Sequence, residues 1–328
     1  MGSLARYFSI LDGKSGPRFH ILKAFGVDFR PEADSGTLWR LHGKAMKAVK
    51  SGRAGKGGMS LLDLKIALAD RMLDSCSLCE RRCGARRSAG MRGKCNVLEA
   101  RIASEFMHYG EEPELVPSYT IFFSGCTFNC VYCQNHDISQ YASAGEHFSP
   151  GTVAGAIERS ARARNVNWVG GDPTSNLPFI LEVLAHSETM LPQVWNSNMY
   201  LTQESMALLD GVVDVYLTDF KYGNDDCARR FSKVERYWGV ATRNHLLARE
   251  QAEVIVRHLV LPNHVECCSK PVLSWIASNL KNVRVNVMDQ YRPAYMAKEY
   301  PEIDRPLRIS EFLEAKEHAI ALGLKVVD

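Results

Sequence analysis

No run of 18 or more apolar residues occurs in this 328-residue chain, so no membrane-spanning helix is expected. The N-terminus lacks the apolar core of a secretory leader. Gly2 is followed by Arg6 where a myristoylation signal wants Ser or Thr. Charge of one sign is also scarce: 40 Lys and Arg face 37 Asp and Glu, a formal net charge of +3. That balance gives no ground by itself for a nucleic-acid binder. With 46% apolar and 23% charged residues, the composition suits an ordinary folded chain with ample core. The expected location is the cytoplasm.

Cysteine is not scarce. The chain has 10, but they are not spread as in a small disulfide-stapled protein. Seven fall between Cys76 and Cys133, in two tight groups. This usage points to metal binding in a reducing compartment. The other three, Cys227, Cys267 and Cys268, have no partner at metal-ligand spacing. They read as ordinary small side chains.

The sharper group is Cys126-x3-Cys130-x2-Cys133, directly after the apolar stretch Tyr119 to Gly125. Three close thiols at unequal spacing suit three corners of a cubane iron–sulfur cluster, with the fourth iron free of protein ligand. The competing reading is a closed tetrahedral zinc site, with His136 as the fourth ligand. The aromatic before the last cysteine and the strand before the first are not explained by a zinc knuckle.

Cys126-x3-Cys130-x-Tyr132-Cys133 resembles the signature of radical S-adenosylmethionine (radical SAM) enzymes. The wider stretch from Ile121 to Asn135 is similar to pyruvate formate-lyase activating enzymes, and closer still to their PflX-group relatives. Gly110-Glu-Glu-Pro113, Asp214 to Lys221 and Val256 to Pro262 continue the similarity, which covers roughly residues 76–295. The resemblance implies a [4Fe–4S] cluster held by Cys126, Cys130 and Cys133, with S-adenosylmethionine on the fourth iron. It implies reductive cleavage to a 5′-deoxyadenosyl radical that takes hydrogen from a substrate carbon. No cobalamin signature is evident.

Three segments are expected. Residues 1–58 form a basic extension ending in a glycine-rich, flexible linker, Ser51 to Gly58. Residues 59–112 hold a helix started by Ser60 and Asp63, then a cysteine-rich metal segment. Residues 113–328 alternate strands and helices. Strand-like runs are Tyr119 to Ser124, Val166 to Val169, Gln193 to Trp195, Val212 to Phe220, Glu253 to Leu261 and Val283 to Met288. Helical runs are 150–164, 177–187, 202–210, 226–237, 268–280 and 309–322. Six strand–helix units predict an α/β fold with a parallel sheet and helices outside, curved by right-handed crossovers into a partial (β/α)6 barrel. Radical SAM domains commonly have this form. Ligands in such sheets bind at the carboxyl ends of the strands.

The candidate site residues fall at those ends. Tyr132 is expected, by resemblance, to contact adenine. Gly170 and Gly171 end the second strand and allow close backbone approach; the resemblance places the methionine amino group there. Asp172 follows where the family has Glu, and Pro173 comes after it, which weakens that correspondence. Asn196 and Asn198 could meet ribose hydroxyls, or simply cap a turn. Asp219 and Lys221 share one face of a strand, and the resemblance gives Lys221 the cofactor carboxylate. Of Arg257 and His258, the arginine is the expected site residue and the histidine a satisfied core residue.

The second group is Cys76-x2-Cys79-x3-Cys83-x11-Cys95. Zinc and a fully ligated [4Fe–4S] cluster both fit it. Arg81, Arg82, Arg86, Arg87, Arg92 and Lys94 are interleaved with these thiols. They offset thiolate charge or, through Arg86 and Arg87, offer a face to RNA; no aromatic stacking pattern supports the latter. The resemblance implies a protein or peptide substrate, with a backbone glycine Cα–H as target, and an electron donor such as flavodoxin or ferredoxin. Radical modification of another protein or of RNA, and a non-catalytic metal-stabilised binding protein, are the competing functions.

Overall fold

The computed structural model describes residues 3–327; Met1, Gly2 and Asp328 lie outside the described residues, and with Gly2 the question of its modification. Among the described residues ten strands form: β1 (Gly26–Val27), β2 (Met59–Ser60), β3 (Ile102–His108), β4 (Ser118–Phe123), β5 (Asn165–Gly170), β6 (Gln193–Ser197), β7 (Val215–Asp219), β8 (Glu253–Leu259), β9 (Arg284–Met288) and β10 (Lys325–Val326). β1 and β2 make a small antiparallel ribbon. The rest form one eight-stranded sheet in the order β10-β9-β8-β7-β6-β5-β4-β3. Every neighbour pair from β4 to β10 is parallel, and only β3 is antiparallel. The fold is therefore α/β with a mostly parallel, open sheet. Among the described residues no helix is long and apolar enough to cross a membrane.

The six strand-like runs of the sequence are β4 to β9. β4, β5 and β6 are buried on nearly every residue, as a sheet covered on both faces requires. Three features depart from the sequence reading. β3 and β10 extend the sheet at its two edges. The helix placed at 226–237 ends at Ser232; Lys233 and Arg236 take left-handed conformations, and a separate helix, Tyr237–Gln251, follows. The helix placed from 268 is preceded by a π-helical turn, Val265–Ser269.

Alternation along a strand explains where polar chemistry sits. In β7, Val215 and Leu217 belong to a small interior cluster with Val194, Ile255, Leu115, Leu4 and Tyr7. Continuing by twos brings Asp219 and then Lys221 onto that same face. The interior is thus apolar at the amino ends of the strands and polar at their carboxyl ends.

The N-terminal segment closes the apolar end. The backbone N–H groups of Arg6 and Tyr7 donate to the Glu253 carboxylate at 2.9 and 2.8 Å. Asn165 Nδ2 donates to the Tyr7 hydroxyl at 3.0 Å. The helix Leu61–Arg71 has the expected Ser60–Asp63 capping box. It buries Lys65 against His42 and the Ala207 carbonyl. The glycine-rich segment is not a loose linker: Lys56 bridges Val27, and a Cβ on Gly57 would meet the Val27 backbone at 2.2 Å.

Candidate functional site

At the carboxyl ends of β4 to β9 a cleft of about 260 Å3 opens. It is lined by Cys126, Cys130 and Cys133, by Tyr132, Gly170, Gly171 and Asp172, and by Asn196, Asn198, Asp219, Lys221 and Arg257. All twelve sequence-chosen residues of the first group therefore meet in one place. His258 does not; it bonds the Phe220 carbonyl and the Ser269 hydroxyl inside the core.

The three thiols are free. Cys126 Sγ accepts from the Phe128 amide at 3.3 Å. Cys130 Sγ lies 2.9 Å from Ser232 Oγ and Cys133 Sγ lies 3.2 Å from Ser139 Oγ. Burial pushes the Cys130 thiol up to about 12 and holds the Cys126 thiol well above its ordinary value, so a bound metal would have to displace their protons. A single tetrahedral zinc with bonds of ~2.3 Å needs its sulfurs about 3.8 Å apart. Among the described residues these sulfurs and His136 do not form such a group within 4.8 Å. His136 instead stacks on Tyr295 at 4.9 Å. The donor set fits a larger, all-thiolate cluster with one open corner better than one ion.

Tyr132 turns its ring inward. Its hydroxyl sits 2.6 Å from Tyr222 Oη, which sits 2.6 Å from Ser232 Oγ. The ring packs edge-on against Tyr291, so the backbone of Tyr132, not its hydroxyl, remains for a ligand.

Gly170 and Gly171 serve the neighbouring strand first. Gly170 has φ of +126°, and a Cβ there would lie 2.1 Å from the Phe123 carbonyl oxygen. A Cβ on Gly171 would lie 2.1 Å from that of Gly125. Only glycine lets β5 end this close to the cysteine loop. Asp172 then acts as a clamp: it accepts from the amides of Thr174 and Asn198 and from Ser197 Oγ at 2.9 to 3.2 Å. Asn198 Nδ2 donates to Thr127 Oγ1 at 3.0 Å, tying the end of β6 to the cysteine loop.

The ionic part is nearly balanced. Lys221 Nζ donates to Asp219 at 2.8 Å. Arg257 reaches Asp219 at 3.0 Å, Glu111 at 3.1 Å and Asn196 Oδ1 at 2.5 Å. Burial alone would raise the Asp219 carboxyl, but Arg257 and Lys221 outweigh it and hold it down near about 2. Burial likewise opposes the charge on Lys221, yet Asp219 and the nearby Cys130 leave its pKa raised. With one acceptor engaged, the ammonium has donors left for a ligand carboxylate. Glu111, which also accepts from Asn167 Nδ2 at 3.0 Å, is a network member that sequence reasoning did not select. Its signal was the Gly110-Glu-Glu-Pro113 stretch.

The segment Cys76 to Cys95 docks beside this cleft. Arg81 Nε donates to the Thr127 carbonyl at 2.5 Å, the Glu80 amide bonds the Tyr200 carbonyl at 3.0 Å, and Phe128 packs on Tyr200. Burial raises the Cys76 and Cys79 thiols, Cys79 to about 12, and each lies in the field of the other thiols of its group. Arg87 is buried and donates to the carbonyls of Ser175 and Leu98 at 2.9 and 3.3 Å. Its guanidinium is thus spent on holding the segment to the turn after β5.

One grouping overturns the sequence reading. Cys227, Cys267 and Cys268, taken there as isolated small side chains, converge with His264 so that all four ligand atoms lie within 4.8 Å of one another. The helix after β7 and the turn after β8 supply them, which spacing along the chain could not reveal.

Several known proteins are similar to this chain. The family model for the radical SAM superfamily matches residues 120–275. An uncharacterized protein of Methanocaldococcus jannaschii is 44% identical over 99% of this chain and 99% of its own. Among solved structures, SuiB of Streptococcus suis bound to the precursor peptide SuiA shares 12% identity over 61% of this chain, with a TM-score of 0.45. This chain spans about half of SuiB, 46% of its length. Methylornithine synthase (PylB) shares 10% identity over 94% of this chain and 84% of its own, at 0.44. A radical SAM methyltransferase from Sphaerobacter thermophilus shares 11% over 88% and 92%, also at 0.44. With the cysteine loop at the mouth of a parallel sheet and the family match spanning β4 to β8, residues 120–275 of this chain form a radical SAM superfamily domain.

Proposed function

We propose that the protein cleaves S-adenosylmethionine reductively and removes a hydrogen atom from a carbon of a protein or peptide, a backbone glycine being the target that the resemblance to activating enzymes favours. One observation carries the reading: three free thiols from a single loop share a cleft with Asp219, Lys221 and Arg257. A [4Fe–4S] cluster on Cys126, Cys130 and Cys133, with S-adenosylmethionine bound, supplies the one-electron cleavage and the carbon radical; the protein supplies orientation and exclusion of water.

Lys221 is the group to hold the carboxylate of the methionyl part, kept charged by Asp219. Arg257 keeps Asp219 ionised and Asn196 fixed. Gly170, Gly171 and Asp172 set the distance between the ends of β5 and β6 and the cysteine loop. Leu259, Met288 and Phe128, which also line the cleft, shield it from water. The free state of all ten cysteines suits a reducing cytoplasm. The contacts from Arg81 and Tyr200 suit entry of electrons through the Cys76 to Cys95 segment, from a small donor such as flavodoxin or ferredoxin. On this reading that segment holds a second [4Fe–4S] cluster; zinc there would only fold it.

The test is anaerobic reconstitution with iron and sulfide, reduction, addition of S-adenosylmethionine and chromatography of 5′-deoxyadenosine. Wild type should form it and Cys130→Ala should not. If neither forms it with the cluster present and reduced, the protein is a metal-stabilised binding protein instead.

A further inference from the structure

We propose that Cys227, His264, Cys267 and Cys268 form a mononuclear zinc-type site, separate from both sequence-evident cysteine groups. The distances are those of a single ion's coordination shell. Cys227 Sγ to Cys267 Sγ is 3.9 Å, Cys267 Sγ to Cys268 Sγ is 3.9 Å, and Cys227 Sγ to His264 Nδ1 is 3.9 Å. His264 Nδ1 to Cys267 Sγ is 3.1 Å. A tetrahedron with Zn–S ~2.3 Å and Zn–N ~2.0 Å has S–S edges of about 3.8 Å and S–N edges of about 3.5 Å. A cubane cluster would need a wider frame, so size selects one ion here.

Two elements are arranged to present these atoms. Helix Asp225–Ser232 follows β7, and Asn224 caps it by accepting from the Cys227 amide at 2.8 Å. The same Asn224 donates to the Cys267 carbonyl at 2.9 Å, stitching this helix to the turn after β8. That turn, Val265–Ser269, is π-helical, a local widening that is frequent at functional sites. Cys267 is exposed and Cys268 buried, so an ion can enter from one side and be closed in from the other.

Four protein ligands leave no open position, which makes the site structural. Binding balances as Zn2+ plus three thiols and a neutral imidazole giving the Cys3His complex and three protons. Its consequence lies in the radical cleft, because the helix that carries the Cys227 ligand in its first turn ends at Ser232, the partner of Cys130. The ion would fix that helix to the turn after β8 and so hold Ser232 in place.

The experiment is zinc and iron analysis of anaerobically reconstituted protein after a chelator wash, with zinc-edge X-ray absorption. Zinc alone is the probe, and no turnover is read, so failure here leaves the proposed function standing. Wild type should retain one zinc per chain more than Cys227→Ser or Cys267→Ser, with equal iron in all three. Its absorption spectrum should fit three sulfurs and one nitrogen. His264→Cys should keep the zinc and change the fit to four sulfurs, which a merely misfolded variant would not do. Equal zinc in wild type and both serine variants would overturn the site. So would a Cys227–Cys267 disulfide in protein purified without oxygen.

Discussion

Ser232 Oγ stands 2.9 Å from Cys130 Sγ and 2.6 Å from Tyr222 Oη, so one hydroxyl joins the Cys130 thiol to a buried tyrosine pair. Ser232→Ala removes both contacts and leaves Tyr222 with Tyr132 alone. Urea unfolding should show a loss of about 1 kcal/mol. A hydrogen bond to a cluster sulfur favours the more negative, reduced state, so the variant's cluster should also have a lower midpoint potential in a redox titration.

Gly171 faces the Gly125 carbonyl with no room for a methyl group. Gly171→Ala must push the end of β5 away from the cysteine loop. Overpacking against backbone should cost about 1–3 kcal/mol. Iron bound per chain after reconstitution should fall with it, whereas Gly151→Ala, at an open helix position, should change neither.

Arg257 is the hub between Asp219 and Glu111. Arg257→Met leaves two buried carboxylates short of a counter-charge, and losing one partner of a buried pair costs about 3–5 kcal/mol. Denaturant unfolding should show that loss at pH 7, with part of it recovered at low pH as Glu111 and Asp219 protonate.

His245 and His258 are fully buried and neutral, each pulled down to about 4 by burial. Unfolded, each would titrate near 6.5, so the unfolded chain binds more protons between pH 6.5 and 4. Stability is full above that window and falls as pH drops through it, by roughly 3 kcal/mol per histidine from the size of the shift. The urea midpoint should fall over that range. The fall should be shallower in His245→Gln, whose side chain stays neutral.

The sequence reaches the radical cleft because its chemistry is local: each residue lies at the end of an apolar run, and β4 to β9 place those ends side by side. Edge elements were harder to read. β3 is mostly exposed or half-buried in its middle, so it lacks an apolar run, and β10 has only two residues. Helix Tyr237–Gln251 follows a turn whose left-handed Arg236 is not a residue that signals one. The Cys227 and His264 pairing spans 37 residues and depends on β7 and β8 being neighbours. Glu111 comes from the loop before β4, and nothing in its spacing says that it reaches Arg257.

The plug at the apolar end of the sheet has a consequence for how the chain is made. Arg6 and Tyr7 meet Glu253 across 247 and 246 residues. At about 5–20 residues per second of synthesis, the N-terminal helix waits on the order of 10–50 s for its acceptor. Until β8 emerges from the ribosome, Leu4 and Tyr7 have no finished floor to enter, so a segment translated well before β8 docks only after it.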